Sequence, residues 1–188
     1  MDTSRIGKAM EFASVAHAGQ HRKGTDVPYI THPVETAFIV MTLTADEDVI
    51  IAALLHDVVE DTKYSLDDIR ERFGERVAEL VDWESEDKMR HLPAADSWKA
   101  RKKSSLQELK VAPVEAKMIC LGDKISNMRA SAERYAIEKE VMWQAFNQKN
   151  PKEQEWYYRS IMDCISEFKN TEAYKEYASL CDKVFPHN

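Results

Sequence analysis

The sequence predicts an all-α fold, a single domain built from helices of irregular length. Three observations carry that reading. Apolar residues recur at three- and four-residue spacing along most of the 188-residue chain. Only 5 glycines and 6 prolines interrupt the pattern. No stretch alternates apolar and polar residues over a β-branched run, which is what a half-buried strand requires. A hydrophobic fraction of 44% beside a charged fraction of 31% suits an ordinary globular core under a charged surface, and the length suits one domain over 1–188.

Taken in order, the first helix runs over about 5–18, with Ile6, Met10, Ala13 and Ala16 on one face and Gly19 ending it. A polar loop, GQHRKGTDVPYIT, follows. The second helix starts near His32 with Pro33 in its first turn, where a missing N–H costs nothing, and runs to about Leu43. Thr44 and Glu47 have capping-box spacing and open the third, which carries IIAALLHDVVEDT over 50–62. Ser65 and Asp68 cap a short helix that Gly74 closes, and helix resumes over 75–83. The charged ESEDKMRHLPAAD reads as a loop and SWKARKKSSLQELK as a basic helix beginning at Ser97. Pro113 opens a long helix to about Ala130. Helices over roughly 133–147 and, from Pro151, over 152–169 come next, and a last one follows Thr171. These uneven lengths set the fold apart from a simple four-helix bundle.

Charge and cysteine content narrow the function. A formal net charge of −7 argues against whole-surface attraction to nucleic acid, and leaves a small anionic ligand only if it meets a local basic cluster. No apolar run reaches the ~20 residues of a membrane helix, and MDTSRIGKAM lacks the apolar core of a signal peptide. Cys120, Cys164 and Cys181 form no CxxC pair, so they read as reduced thiols of a cytoplasmic protein and not as a zinc knuckle.

The chemistry concentrates at the end of the third helix. Eight of the first ten residues of IIAALLHDVVEDT are apolar, yet His56, Asp57, Glu60 and Asp61 crowd its C-terminal end. Residues three and four apart are neighbours on a helix, so three carboxylates would share one turn and repel. Either the turn emerges into water, or a cation neutralises it. An imidazole beside carboxylates without thiolates is a donor set suited to an octahedral divalent ion such as manganese, iron or magnesium. Two ligands are too few. His32, at a helix start, and Asp123, on the inward stripe Ala116, Ile119, Cys120, Asp123, Asn127, Ala130, are the further candidates. Taken singly, each also has a structural reading: a hydrogen-bonded core histidine, or an aspartate serving a lysine or a helix N-terminus. Tyr29 reads as core or as lining the pocket, with core weighted slightly higher, and at least two members of the KARKK run read as a solvated helix face.

The order His…His-Asp…Asp resembles the HD superfamily of metal-dependent phosphohydrolases. Within it, AHAGQHRKGTDVPYITHPVE (16–35), ALLHDVVEDT (53–62), FGERVAELV (73–81), SEDK (85–88) and LGDKISNMR (121–129) resemble the hydrolase domain of the Rel/SpoT proteins, and especially the stand-alone small alarmone hydrolases. The resemblance spans about 5–130; the remainder, including WYYRS (156–160), is similar to the helical tail of the small hydrolases, so a core over about 5–130 with a helical C-terminal extension over about 133–188 is expected, without a synthetase domain.

The resemblance implies residue roles. His32, His56, Asp57 and Asp123 stand where the family holds its metal, usually Mn2+. Glu60 and Asp61 stand where it keeps the acidic pair that positions and activates water. Arg22 and Lys23 match the Arg-Lys of the nucleotide loop, and Asn127 a nucleotide-contacting asparagine. Lys88 and Lys124, with Arg101, Lys102, Lys103 and Arg129, are further cations for a polyphosphate. The implied substrate is guanosine 3′,5′-bis(diphosphate) or its pentaphosphate relative, losing pyrophosphate. The alternatives are another nucleotide such as NADPH, losing its 2′ phosphate, or a non-catalytic nucleotide-sensing module; a homo-oligomer is left open. Two departures stand out: WESEDK replaces a Val-Thr-Lys-like segment, and Gly122 replaces the usual alanine before Asp123. A glycine inside a helix costs up to about 1 kcal/mol, so slight loosening there is expected.

Overall fold

The computed structural model describes residues 3–85 and 93–186. Their helices are α1 (Ser4–Ala16), α2 (Thr31–Val40), α3 (Glu47–Leu55), α4 (Val58–Asp61), α5 (Leu66–Phe73), α6 (Glu75–Glu84), α7 (Ala94–Val111), α8 (Val114–Glu138), α9 (Pro151–Cys164) and α10 (Glu172–Val184), with 3-10 helices at Lys139–Ala145 and Ser166–Phe168. Among the described residues there is no strand, only a lone antiparallel bridge between His21 and Pro28. None of the helices is long and apolar enough to cross a membrane. The all-α expectation holds.

The described residues fall into two compact units. One groups those up to Ser85 with Ala112–Asp123; the other groups those from 93 to Val111 with those from Lys124 onward.

The first unit is organised around α3. All residues from Val49 to Leu55 are buried, so this helix is apolar all round and is packed on every side. Each large side chain among them stabilises the fold by roughly 1.5–3 kcal/mol. Polar residues fix its entry. The cap is Asp46, whose side chain accepts from the Asp48 N–H, and Thr44 instead accepts from the Asp46 N–H at 3.1 Å. The Thr44–Glu47 capping box is therefore corrected: the chain begins its helix two residues later, where an acid can meet both the exposed N–H groups and a cation. That cation is Arg76, 2.7 Å from Asp46, which holds the Asp46 carboxyl below its ordinary range. Arg5 reaches Glu47 and Asp48 at 2.9 Å and the Phe73 carbonyl at 3.0 Å. These half-exposed pairs add at most about 1 kcal/mol each, and chiefly set orientation.

Other boundaries follow local chemistry. The α1 face runs through Ala9 and Ala13, while Met10 is exposed. Helix α5 has the full Ser65–Asp68 capping box and ends at Gly74, whose φ of 98° suits a residue without Cβ. Helix α7 begins three residues before Ser97, because the Pro93 carbonyl accepts from the Asp96 and Ser97 N–H groups. Helix α8 outruns its expected end at Ala130 and reaches Glu138, which pairs with Arg134 one turn back. Lys139 then takes a φ of 51°, so the helix expected over 133–147 is replaced by the end of α8 and a 3-10 turn. Helix α9 stops at Cys164, short of the expected 169.

In the second unit Asn150 caps α9 and Thr171 caps α10. Trp98 packs edge-on against Tyr157 at 5.9 Å, and Tyr177 donates to the Tyr158 carbonyl at 2.8 Å.

Gly122 corrects the expectation of a loosened helix. A Cβ there would lie 3.0 Å from the Thr36 carbonyl oxygen and 3.0 Å from Val40 Cγ2. The missing side chain lets α8 approach α2 closely, one residue before Asp123. Gly122→Ala should change stability little, since a helix-propensity gain of about 1 kcal/mol offsets the tight contact. Gly122→Val should cost about 1–3 kcal/mol by overpacking. Urea denaturation of both variants checks this.

Candidate metal centre

The apolar helix does not run through the His-Asp pair. Helix α3 ends at Leu55, His56 and Asp57 form a turn, and α4 is a single turn. The His56 ring folds back so that its Nδ1 lies 2.8 Å from the Ala53 carbonyl. That carbonyl could otherwise take the Asp57 N–H of a continuous helix, so a side chain competes with the backbone and ends it. Asp57 adopts φ −94° and ψ −4°, and the Asp61 N–H returns to its carbonyl at 2.9 Å. Part of the crowding expected along one helix is relieved by this break.

Bonding Nδ1 to Ala53 fixes the tautomer and leaves His56 Nε2 free to act as a donor atom. This nitrogen is buried and lies 3.1 Å from Asp57 Oδ2. His32, held by the first turn of α2, brings its own Nε2 to 3.3 Å from the same oxygen and 3.2 Å from Asp123 Oδ1. Asp123 Oδ1 is also 3.9 Å from His56 Nε2. Both histidines are 98% buried, and the rings meet edge to face at 5.1 Å. His32, His56 and Asp57 each offer an atom within 4.8 Å of the others. Thus three stretches of chain bring two imidazole nitrogens and two carboxylates to one point. Such a group needs a cation, since buried carboxylates are costly unless neutralised, and its nitrogen–oxygen donor set fits a divalent metal.

The electrostatics agree. Burial alone would lower the His56 pKa, but the Asp57 charge and hydrogen bond, with Asp123, raise it to about 10. Burial acts upward on Asp57, and the charges and hydrogen bonds of His56 and His32 overcome it, holding its carboxyl well below the usual range. A proton on His56 thus stands in for the cation. If His56 is to serve as a metal ligand it must be neutral imidazole, so metal binding at pH 8 would release about one proton from it and affinity would rise with pH until about 10. Calorimetry of metal binding in buffers of different ionisation enthalpy measures that proton.

The remaining candidates fall around and beyond this point. Glu60 is half-buried and Asp61 exposed, both on α4. Arg22, half-buried, and Lys23, exposed, lie in an ordered loop: the Arg22 N–H donates to the Val27 carbonyl at 2.8 Å, and the Tyr29 N–H to the Gln20 carbonyl at 2.9 Å. Lys124 and Asn127 follow Asp123 on α8 and group with the second unit. There the ammonium groups of Lys124 and Lys102 lie 5.9 Å and 4.8 Å from the Tyr157 ring centre. Lys88 lies outside the described residues.

Of its two readings, core or pocket lining, Tyr29 takes the second. It is half-buried and its hydroxyl donates to Asp57 Oδ2 at 2.6 Å. Burial first, then the Asp57 charge and hydrogen bond, push its pKa upward. The available signal was a hydroxyl-bearing aromatic in a polar loop, three residues before His32.

Comparisons with known proteins agree on one family. A family model described as HD domain matches residues 9–148. The chain is 52% identical over 77 residues, 41% of its length, to the guanosine-3′,5′-bis(diphosphate) 3′-pyrophosphohydrolase of Aquifex aeolicus, of which it covers 11%. It is 36% identical over 126 residues, 66% of its length, to the bifunctional (p)ppGpp synthase/hydrolase SpoT of Escherichia coli K12, of which it covers 18%. The chain therefore spans under a fifth of the length of these relatives. Among solved structures it is similar to a metazoan ortholog of SpoT described as hydrolysing ppGpp and acting in starvation responses. The TM-score there is 0.76 at 25% identity, over 96% of this chain and 95% of that one. A protein of Listeria monocytogenes EGD-e gives a TM-score of 0.72 at 30% identity, over 83% and 99%.

Proposed function

This chain belongs to the HD domain family, and from that premise we propose that it is a metal-dependent guanosine 3′,5′-bis(diphosphate) 3′-pyrophosphohydrolase. The observation that carries the reading is the meeting of two buried imidazole Nε2 atoms with carboxylate oxygens of Asp57 and Asp123 at 3.1–3.9 Å. Supporting it are the names of relatives that are 52% and 36% identical over 77 and 126 residues of this chain, and a structural neighbour, alike over nearly its whole length, that hydrolyses ppGpp.

In this reading His32, His56, Asp57 and Asp123 hold one Mn2+. A bound divalent ion supplies Lewis-acid polarisation of a phosphoryl oxygen and a more acidic water. The chain's own groups do the rest. Glu60 or Asp61 accepts the proton of the attacking water or orients it. The water oxygen bonds to the phosphorus attached at O3′, the bond from that phosphorus to O3′ breaks, and O3′ takes a proton as pyrophosphate leaves. Arg22 and Lys23 offset the substrate's charge, and the Arg22 guanidinium can stack on the base, which an ammonium cannot. Lys88, Lys124 and Asn127 contact the nucleotide. Residues 1–188 act as one HD domain, with a core over about 5–130 and a helical extension over about 133–188, in a cytoplasmic enzyme whose partner is the nucleotide and not nucleic acid.

Product identification tests this. With Mn2+ the purified protein should release pyrophosphate from guanosine tetraphosphate, and EDTA should stop it. No release by folded, metal-loaded protein overturns the reading. Orthophosphate release from NADPH at far higher kcat/KM would give the same centre another substrate.

A further inference from the structure

We propose that Tyr29 is a positioning residue of the metal centre, holding the Asp57 carboxylate in the orientation a cation needs. The inference rests on the reading of the His-Asp cluster as a metal site.

The Tyr29 hydroxyl donates to Asp57 Oδ2 at 2.6 Å, and this is the oxygen that His32 Nε2 and His56 Nε2 approach at 3.3 and 3.1 Å. A carboxylate on a short side chain can rotate about its own axis. The phenol occupies one lone pair of Oδ2 and so fixes both the plane of the group and the lone pair that remains for a cation. Asp57 needs this more than Asp123 does: it sits in a turn between two helices, and its side chain is 17% exposed against 9%.

The phenol is itself held. Its ring packs edge-on to His32 at 5.6 Å and against His17 at 4.9 Å. His17 is buried, and its Nδ1 lies 2.8 Å from Gln20 Oε1. An amide oxygen only accepts, so Nδ1 carries the proton. The Gln20 amide nitrogen donates to the Asp61 carbonyl at 2.8 Å, and the Gln20 carbonyl accepts the Tyr29 N–H at 2.9 Å. One residue therefore ties the loop carrying Arg22 and Lys23 to the last residue of α4. Tyr29 acts on a metal ligand; Gln20 acts on the backbone of the acidic turn. The two should separate experimentally.

The test is Mn2+ titration calorimetry on the full chain, with urea midpoints of the metal-free proteins alongside. Tyr29→Phe deletes one oxygen and keeps the ring. It should weaken Mn2+ binding about tenfold to a hundredfold, the usual effect of losing a group that orients a metal ligand, with the midpoint unchanged. Gln20→Ala should keep Mn2+ affinity within about threefold and lower kcat, since it touches no ligand. Wild-type affinity in Tyr29→Phe overturns the proposal while the metal reading stands. Equal loss of affinity in both variants overturns it too, by making the loop as a whole responsible. Wild-type protein that binds no Mn2+ instead sinks the metal reading beneath it.

Discussion

Asp57→Ala should abolish stoichiometric Mn2+ binding and reduce pyrophosphate release below detection. No other substitution is expected to do as much. Asp57 Oδ2 lies 3.1 Å from His56 Nε2 and 3.3 Å from His32 Nε2 and accepts the Tyr29 hydroxyl, so one truncation leaves two buried imidazoles and a half-buried phenol without their common partner. Removing one member of a buried ionic group costs about 3–5 kcal/mol. The sign of the stability effect depends on pH. In metal-free wild type, His56 titrates at about 10 against an ordinary 6.5. Its contribution is therefore complete below about pH 6.5 and is lost as pH rises through about 10. Without Asp57 its largest source of support disappears, burial acts unopposed by that charge, and the His56 pKa should fall. The destabilisation should accordingly be large at neutral pH and shrink toward pH 10. Calorimetry, turnover and NMR titration of the histidine Cε1 protons measure the three effects.

Glu60→Gln should separate binding from chemistry. The side chain keeps its size and loses only its basicity, and Glu60 stands outside the four-residue cluster. Mn2+ affinity should stay near wild type while kcat falls about 10²- to 10⁴-fold, the range for removing a general base. Glu60 is half-buried on α4 and Asp61 is exposed, so Glu60 is the better shielded proton acceptor, and Asp61→Asn should cost less. Full activity in Glu60→Gln removes Glu60 from the mechanism. A larger loss in Asp61→Asn transfers the role.

Much of this was legible in the chain. Apolar spacing and scarce glycine and proline announce the all-α fold, because helix periodicity is a local signal. His32, His56, Asp57 and Asp123 could be named as candidates because carboxylates and imidazoles on apolar helix faces are costly unless something compensates them, and the structure brings these four together.

What escaped was settled by tertiary or side-chain competition. The break at His56–Asp57 is invisible to periodicity, since Val58 and Val59 continue the apolar run; it follows from the His56 ring bonding back to Ala53. Asp46 replaced Thr44 as cap because Arg76, 30 positions away, meets it there. Gly122 reads as a weak point in one helix and proves to be a contact between two. Tyr29 cannot be divided between core and pocket from the chain alone, because its hydroxyl's partner, Asp57, is 28 residues away. In each case the deciding contact is long-range or lies in a side chain's return to backbone, and neither leaves a periodic trace.

His32, His56, Asp57 and Asp123 should together hold one Mn2+. Anomalous diffraction at the manganese edge, from crystals grown with Mn2+, tests it most directly. The expected result is one strong peak among His32 Nε2, His56 Nε2 and the Asp57 and Asp123 carboxylates, absent in Asp57→Ala crystals. A peak confined to other residues, or no peak from protein that still hydrolyses guanosine tetraphosphate in EDTA, would contradict it.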